Sequence, residues 1–318
     1  MARPSAHKMT MASVPPNPDT PERPRSTISL LIRSLRPEQW TKNLVLFAGL
    51  LFGLRLADVT SILRAIAAFG IFCLLSGVVY LVNDVMDREA DKIHPLKCRR
   101  PIASGALSPQ TAILAALLIA AGALGAAWLL GTMFFATALA YVVLQTLYSG
   151  PLKHMVIIDV LTIAFGFVFR AIAGAVVVNV PISHWLLICT VLLALFLALS
   201  KRRHELVLLA DGATSHRRIL EEYSPYLLDQ MIGVVTATTL MAYTIYTVSP
   251  ETTQKFGTDW LGLTIPFPLY GIFRYLYLVH QKKGGGSPTT MLLTDKPLLI
   301  CVALWACAVV LIIYHPFH

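Results

Sequence analysis

Four residues set the chemistry this sequence can offer. Asn83, Asp84, Asp87 and Asp91 lie in the run Asn83-Asp84-Val85-Met86-Asp87-Arg88-Glu89-Ala90-Asp91. If the preceding apolar helix continues through them, 3.6 residues per turn brings all four within an arc of roughly 100°. Hard oxygen donors stacked on one face suit Mg2+, which keeps several waters and bridges a few carboxylates to substrate phosphates. Three carboxylates this close also repel one another unless a cation sits between them. The bland alternative is a solvated helix end. It is the weaker reading, because a chain with only 14% charged residues gathers its acids here.

Directly downstream stands His94-Pro95-Leu96-Lys97-Cys98-Arg99-Arg100-Pro101-Ile102-Ala103-Ser104-Gly105. Pro95 is expected to end the helix, so that the loop returns Lys97, Arg99 and Arg100 toward the carboxylates. A cationic loop beside a metal-binding face makes a site for a polyanion such as a diphosphate. Attraction to lipid headgroups would explain the basic loop equally well on its own, but not the acids beside it.

The elements that carry these residues belong to a membrane. In 318 residues, 56% are hydrophobic, and 26 Lys and Arg against 17 Asp and Glu give a net charge of +9. A disordered chain or an ordinary water-soluble enzyme would need more charge. Crossing the hydrocarbon core takes about twenty apolar residues. Such blocks fall near 41–57, 61–82, 109–130, 132–148, 156–178, 183–200, 227–249, 261–279 and 297–314. The expected fold is therefore an all-α membrane protein of about nine transmembrane helices. Residues 1–26 are expected to be a disordered cytoplasmic tail without a signal peptide, and 27–318 one integral membrane domain.

Charge between the blocks sets the orientation. Connections after even-numbered spans carry fourteen Lys or Arg, including Arg88, Lys153, Arg217, Lys283 and Lys296, whereas the opposite ones carry Arg55, Arg64 and Lys255. The asymmetry places the N terminus and the even connections in the cytoplasm. Two long polar connections, 83–108 and 201–226, follow the second and sixth spans. They suggest two four-helix halves that share one cavity, plus a ninth helix. The tract Gly284-Gly285-Gly286-Ser287-Pro288 reads as a plain loop, since no strand precedes it. Five cysteines without CxxC spacing read as small buried hydrophobes. The nine histidines show no metal-ligand spacing, and there is no HExxH or GxSxG.

Two charges fall inside the fifth block. Arg170 lies near its middle and Asp159 eleven residues earlier, so they share a face about 16 Å apart. An intramembrane Arg costs at least ~2.5 kcal/mol and usually faces a polar cavity. Arg170 is read as lining the active-site cavity, with helix-to-helix pairing as the alternative. Asp159 is expected either to pair with a loop cation or to orient a ribose hydroxyl. Arg274, near a helix end, is expected to snorkel.

Taken together, Asn83-Asp84-x-x-Asp87-x-x-x-Asp91 and His94-Pro95-x-Lys97-x-x-Arg100-Pro101-Ile102-Ala103-Ser104-Gly105 resemble the first motif of the UbiA-type membrane prenyltransferase superfamily. The resemblance covers about residues 30–315. It implies a UbiA-like helical bundle with a cavity open to cytoplasm and lipid, in which Mg2+ grips a diphosphate through Asn83, Asp84, Asp87 and Asp91. Most members carry a second acidic motif after the sixth helix. Here that segment is Ser200-Lys201-Arg202-Arg203-His204-Glu205-Leu206, basic where the superfamily is acidic.

That departure is similar to a branch of the superfamily that transfers phosphoribosyl groups to lipid. The same branch is resembled by Arg36-Pro37-Glu38-Gln39-Trp40-Thr41-Lys42-Asn43, by Tyr148 to His154 and by Arg170 to Gly174. The resemblance implies 5-phosphoribosyl 1-diphosphate as donor and a decaprenyl-like polyprenyl phosphate as acceptor, with diphosphate released in cell-envelope precursor synthesis. Lys42, Lys97, Arg100, Lys153, Lys201 and Arg202 are then expected to hold phosphates, with Tyr148 and Arg170 in the substrate site. Glu205, one turn after Lys201, is expected to position that lysine. An ionised phosphate acceptor needs no strong general base. Two alternatives stay open: prenyl transfer to an aromatic or quinone acceptor, and a non-enzymatic transporter, which leaves the acidic run without a purpose. Expected partners are the two substrates and the bilayer of the inner (plasma) membrane, with no nucleic acid.

Overall fold

The computed structural model describes residues 26–94, 97–210, 218–282 and 288–314. The expected tail up to residue 25, Pro95, Arg217, Lys283, the tract 284–287 and His315 lie outside the described residues. Every regular element among those described is helical: α1 (Thr27–Ser34), α2 (Phe47–Phe52), α3 (Val59–Met86), α4 (Arg88–Ile93), α5 (Pro109–Leu130), α6 (Thr132–Ser149), α7 (Ile158–Val177), α8 (His184–Ala210), α9 (Pro225–Val248), α10 (Pro250–Phe256), α11 (Pro266–Gln281), α12 (Pro288–Thr294) and α13 (Lys296–Tyr314). Short 3-10 helices join them, the longest at Pro37–Leu46.

Seven of these helices, α3, α5, α6, α7, α8, α9 and α13, are long and apolar enough to cross a membrane among the described residues. They match seven of the nine expected blocks. The first block is built differently. Its polar half is a ten-residue 3-10 helix and its apolar half is the six-residue α2. So long a 3-10 run is uncommon and marks local strain. The eighth block is divided between a 3-10 turn at Trp260–Thr264 and the 16-residue α11.

Local sequence explains many boundaries. Ser108-Pro109, Ser224-Pro225 and Ser249-Pro250 each open a helix. In each pair the serine Oγ accepts an amide three residues on, and proline takes the first position, where its missing N–H costs nothing. Only Gly131 separates α5 from α6, at φ 138°, a conformation that suits glycine. Beyond Ser200, α8 continues through Lys201-Arg202-Arg203-His204-Glu205-Leu206 to Ala210. The expected polar connection thus begins as helix, because Lys, Arg, Glu and Leu are good helix formers.

At the centre stand α3 and α7. Their apolar windows are 56% and 61% buried, against 17% for α5, whose Leu114, Leu117 and Leu118 face outward as lipid-facing residues do. One core joins α3, α5, α6 and α7 with Leu46 and Leu50; another joins α7 to α8, α9, α11 and α13. The seam between α2 and α7 is made by Gly49 and Gly174. A Cβ on Gly174 would lie 2.0 Å from the Leu46 carbonyl oxygen, so only glycine permits this approach. Arg64 closes the opposite end: its Nε donates to Val177 O and its Nη2 to Leu130 O, both at 2.7 Å. One guanidinium thereby satisfies terminal carbonyls of two helices.

Candidate active site

The acidic run is helical almost throughout. α3 ends at Met86 and α4 starts at Arg88, with Asp87 as a one-residue joint at φ −89°, ψ 6°. The amides of Asp87 and Asp91 still donate to the carbonyls of Asn83 and Asp87, at 2.9 and 2.8 Å. The one-faced arrangement therefore survives the joint.

Each acid meets a cation. Asp84, buried, accepts at Oδ1 from Arg36 Nη2 at 2.5 Å and from Arg100 Nη1 at 3.1 Å. The same Arg100 nitrogen donates to Asp91 Oδ2 at 2.5 Å. Asp87 accepts from Lys153 Nζ at 2.6 Å through Oδ1 and from Asn83 Nδ2 at 3.0 Å through Oδ2. The ridge is thus ringed by three cations from three separate segments.

The loop after α4 returns as expected, and its apolar residues are what hold it. Ile102 and Leu107 are buried against Leu30, Leu35, Val78 and Leu81, while the Leu107 amide donates to Pro101 O at 2.8 Å. Pinned there, Arg100 reaches the acids. Lys97 begins a 3-10 turn and donates its amide to His94 Nδ1 at 3.3 Å. Burial first, and then the Lys97 charge, hold the His94 pKa below its ordinary value, which suits a neutral acceptor ring.

Arg36 is the residue that the spacing did not single out. It caps the long 3-10 helix in a left-handed conformation (φ 53°, ψ 66°) and its guanidinium also lies 4.7 Å over the Tyr80 ring. Lys42 Nζ is 3.5 Å from Tyr80 Oη, one turn along α3 from Asp84. Arg170 sits deeper, buried among neutral oxygens: Asn43 Oδ1 at 2.7 Å, Gly166 O at 2.8 Å and Tyr141 Oη at 2.9 Å. Its guanidinium carbon lies 4.8 Å from the centre of the Tyr141 ring. No carboxylate lies within ion-pair distance of it among the described residues.

Tyr148, Arg202 and Asp159 form a second cluster. Arg202 donates to Asp159 Oδ2 at 2.9 Å, Glu205 Oε2 at 2.8 Å and Tyr148 Oη at 3.2 Å. Asp159 therefore meets a cation of α8, 43 residues on, rather than Arg170 on its own helix. Lys201, further out, approaches Glu205 at 3.8 Å. Arg274 pairs with Asp295 at 2.8 Å instead of reaching for the membrane surface.

The donor chemistry of the ridge fits a hard divalent cation: three carboxylates and an amide present only oxygen ligands, and two of the acids already converge on one cationic nitrogen. No group of three or more His, Cys, Asp or Glu is drawn together closely enough to hold a metal among the described residues, and Asp87 is paired with Lys153. A hollow of about 240 Å3 is lined by Leu278, Met291, Thr294 and Asp295, none of them a candidate residue.

Known proteins share this architecture. The "Decaprenyl-phosphate phosphoribosyltransferase" of Mycolicibacterium smegmatis is 33% identical over 298 residues, covering 89% of this chain and 92% of its own. The protein of the same name from Corynebacterium glutamicum is 32% identical over 296 residues, covering 92% and 89%. In fold, the chain resembles a UbiA homolog from Archaeoglobus fulgidus bound to DMAPP and Mg2+, with a TM-score of 0.69 at 19% identity, over 90% of this chain and all of that one. A sequence model of the UbiA prenyltransferase family matches residues 44–294, from the 3-10 helix beside Arg170 through the acidic ridge to α12. On this evidence the chain is a multi-pass membrane protein that belongs to the UbiA prenyltransferase family.

Proposed function

We propose that the protein is a Mg2+-dependent transferase that moves 5-phosphoribosyl from 5-phosphoribosyl 1-diphosphate to a decaprenyl-like polyprenyl phosphate. The observation that carries this reading is the fate of the acids on the two sides of the bundle. At the end of α3, Asp84, Asp87 and Asp91 meet cations that are partly exposed. At the end of α8, both nearby acids, Asp159 and Glu205, are taken up by Arg202. One acidic ridge thus faces an otherwise basic surround, which suits two phosphate-bearing substrates better than a prenyl diphosphate and a neutral ring. The name shared by relatives spanning nine-tenths of the chain supports the same assignment.

Asn83, Asp84, Asp87 and Asp91 would hold the metal, which when bound supplies charge neutralisation for a departing diphosphate. Arg36, Arg100 and Lys153, already at the ridge, would donate to diphosphate oxygens, exchanging a carboxylate partner for a phosphate one. Lys97 stands in the same basic loop. Lys42 and Lys201 add positive charge for the second phosphate, and Arg170 with Asn43 shapes the polar floor. In the reaction the ribose C1–O bond to diphosphate breaks and a bond from C1 to the lipid phosphate oxygen forms. Charge at C1 is oxocarbenium-like, and preorganised cations stabilise the leaving oxygens. The attacking phosphate is already ionised, so no side chain has to take a proton. The charge asymmetry of the connections supports a site and N terminus on the cytoplasmic side of the inner membrane.

The test supplies purified protein and Mg2+ with labelled phosphoribosyl diphosphate and polyprenyl phosphate, or with prenyl diphosphate and hydroxybenzoate. Label entering lipid from the sugar donor alone, with a product mass raised by one phosphoribosyl group, is the expected result. A prenylated benzoate instead would overturn the assignment.

A further inference from the structure

The turn between α6 and α7 carries Lys153 to Asp87, and both of its ends enter one hydrogen-bond network centred on the buried Asp159. At its start, Tyr148 accepts from Arg202 Nη2 at 3.2 Å. At its end, the Ile157 amide donates to Tyr223 Oη at 2.7 Å, and Tyr223 in turn donates to Asp159 Oδ1 at 2.9 Å. Arg202 Nε closes the circuit on Asp159 Oδ2 at 2.9 Å. The nine residues from 149 to 157 are thus held at one end by Arg202 and at the other by Tyr223, both anchored on Asp159, with Lys153 in the middle.

Ile157 shows what this restraint does. Its φ is +69°, a genuine outlier for a β-branched residue, and such a conformation persists only where the surroundings over-determine it. Here the Tyr223 hydroxyl fixes the strained amide directly. Tyr223 belongs to the connection between α8 and α9, whereas Arg202 lies in the α8 segment that stands where the superfamily has its second acidic motif. Asp159, Arg202 and Tyr223, the three side chains that close the circuit, are buried, and Arg202 is taken up by Asp159, Glu205 and Tyr148. Its effect on a substrate would therefore pass through the turn it holds.

We propose that Tyr223, Asp159 and Arg202 are positioning residues that set the turn 149–157 and so hold Lys153 over Asp87 for donor binding. The binding half rests on the reading of Lys153 as a ligand of the donor diphosphate; the geometric half does not. The test compares Tyr223→Phe and Asp159→Asn with the parent protein in membranes. A water-soluble acylating reagent, read by mass spectrometry, reports access to each lysine. Labelling of Lys153 is expected to rise severalfold in both variants while Lys282 is unchanged. In Tyr223→Phe, which loses the bonds to both the Ile157 amide and Asp159, the KM for phosphoribosyl diphosphate is expected to rise at least about fivefold. The KM for polyprenyl phosphate stays put, and a Lys153→Ala background abolishes the effect.

Unchanged Lys153 labelling in both variants, each eluting as folded protein, overturns the proposal. So does a Tyr223→Phe effect that persists undiminished in the Lys153→Ala background, which marks a merely structural role. If Lys153→Ala leaves the donor KM unchanged, the binding half falls together with the reading of Lys153, while labelling still decides the geometric half.

Discussion

Two regions of this molecule pair arginine with carboxylate, and they do so to opposite ends. At the ridge, the side chains of Arg36, Arg100 and Lys153 are 20%, 24% and 13% exposed, and the acids on α3 and α4 share them. At the α7–α8 contact, Arg202 is 2% and Asp159 0% exposed, and the guanidinium meets three partners at once. A cation near water can leave its carboxylate for a phosphate at modest cost. One sealed between helices cannot, because an unpaired buried charge is strongly unfavourable. Chemical identity therefore says less about role than burial and partner count do.

The comparison is most severely tested at the ridge acids. Asp91→Ala, or chelation of divalent ions from the parent protein, is expected to abolish lipid product in the labelled-donor assay, with Mg2+ restoring only the chelated sample. Activity that survives both would remove the distinction at its root. At the sealed pair, Asp159→Ala should destabilise by about 3–5 kcal/mol, seen as earlier thermal unfolding in detergent. Replacing both partners, as Asp159→Leu with Arg202→Met, should recover most of that loss. If the double variant is no better than the single one, the cost lies elsewhere than in the stranded charge.

A third experiment separates charge from packing. Gly174→Ala drives a methyl group into the Leu46 backbone and should cost about 1–3 kcal/mol of stability, with the donor KM of the folded fraction little changed. The smallest effect is expected at Arg36. Its replacement by Lys keeps the charge but loses the planar fork, and should raise the donor KM about tenfold with thermal stability nearly constant. A large stability loss there would move Arg36 into the sealed class.

What the sequence disclosed followed distance along the chain. The ridge was legible because Asn83, Asp84, Asp87 and Asp91 sit within nine residues and helical periodicity fixes their face. Arg100 was legible because it lies only nine residues beyond Asp91. Seven spans could be read from apolar length alone. Arg36 was not linked to Asp84, because 48 residues separate them and only the folded bundle brings them together. The same holds for Tyr223 and Asp159, 64 residues apart. Composition also misjudged the first block: an apolar run predicts a helix, but Asn43 turned toward Arg170 and Gly49 against α7 produce a 3-10 segment and a short α2 instead.

The phenol of Tyr314 draws the last helix onto the second: it donates to Leu51 O at 2.9 Å and accepts from the Leu56 amide at 3.3 Å. α2 and α13 are therefore neighbours, with Leu51 and Phe52 packed against the cluster of Val309, Ile312 and Ile313. Shaving the final turn of α13 removes that phenol, and the slack it leaves would reach α7 through α2, which meets α7 across the Gly49–Gly174 seam.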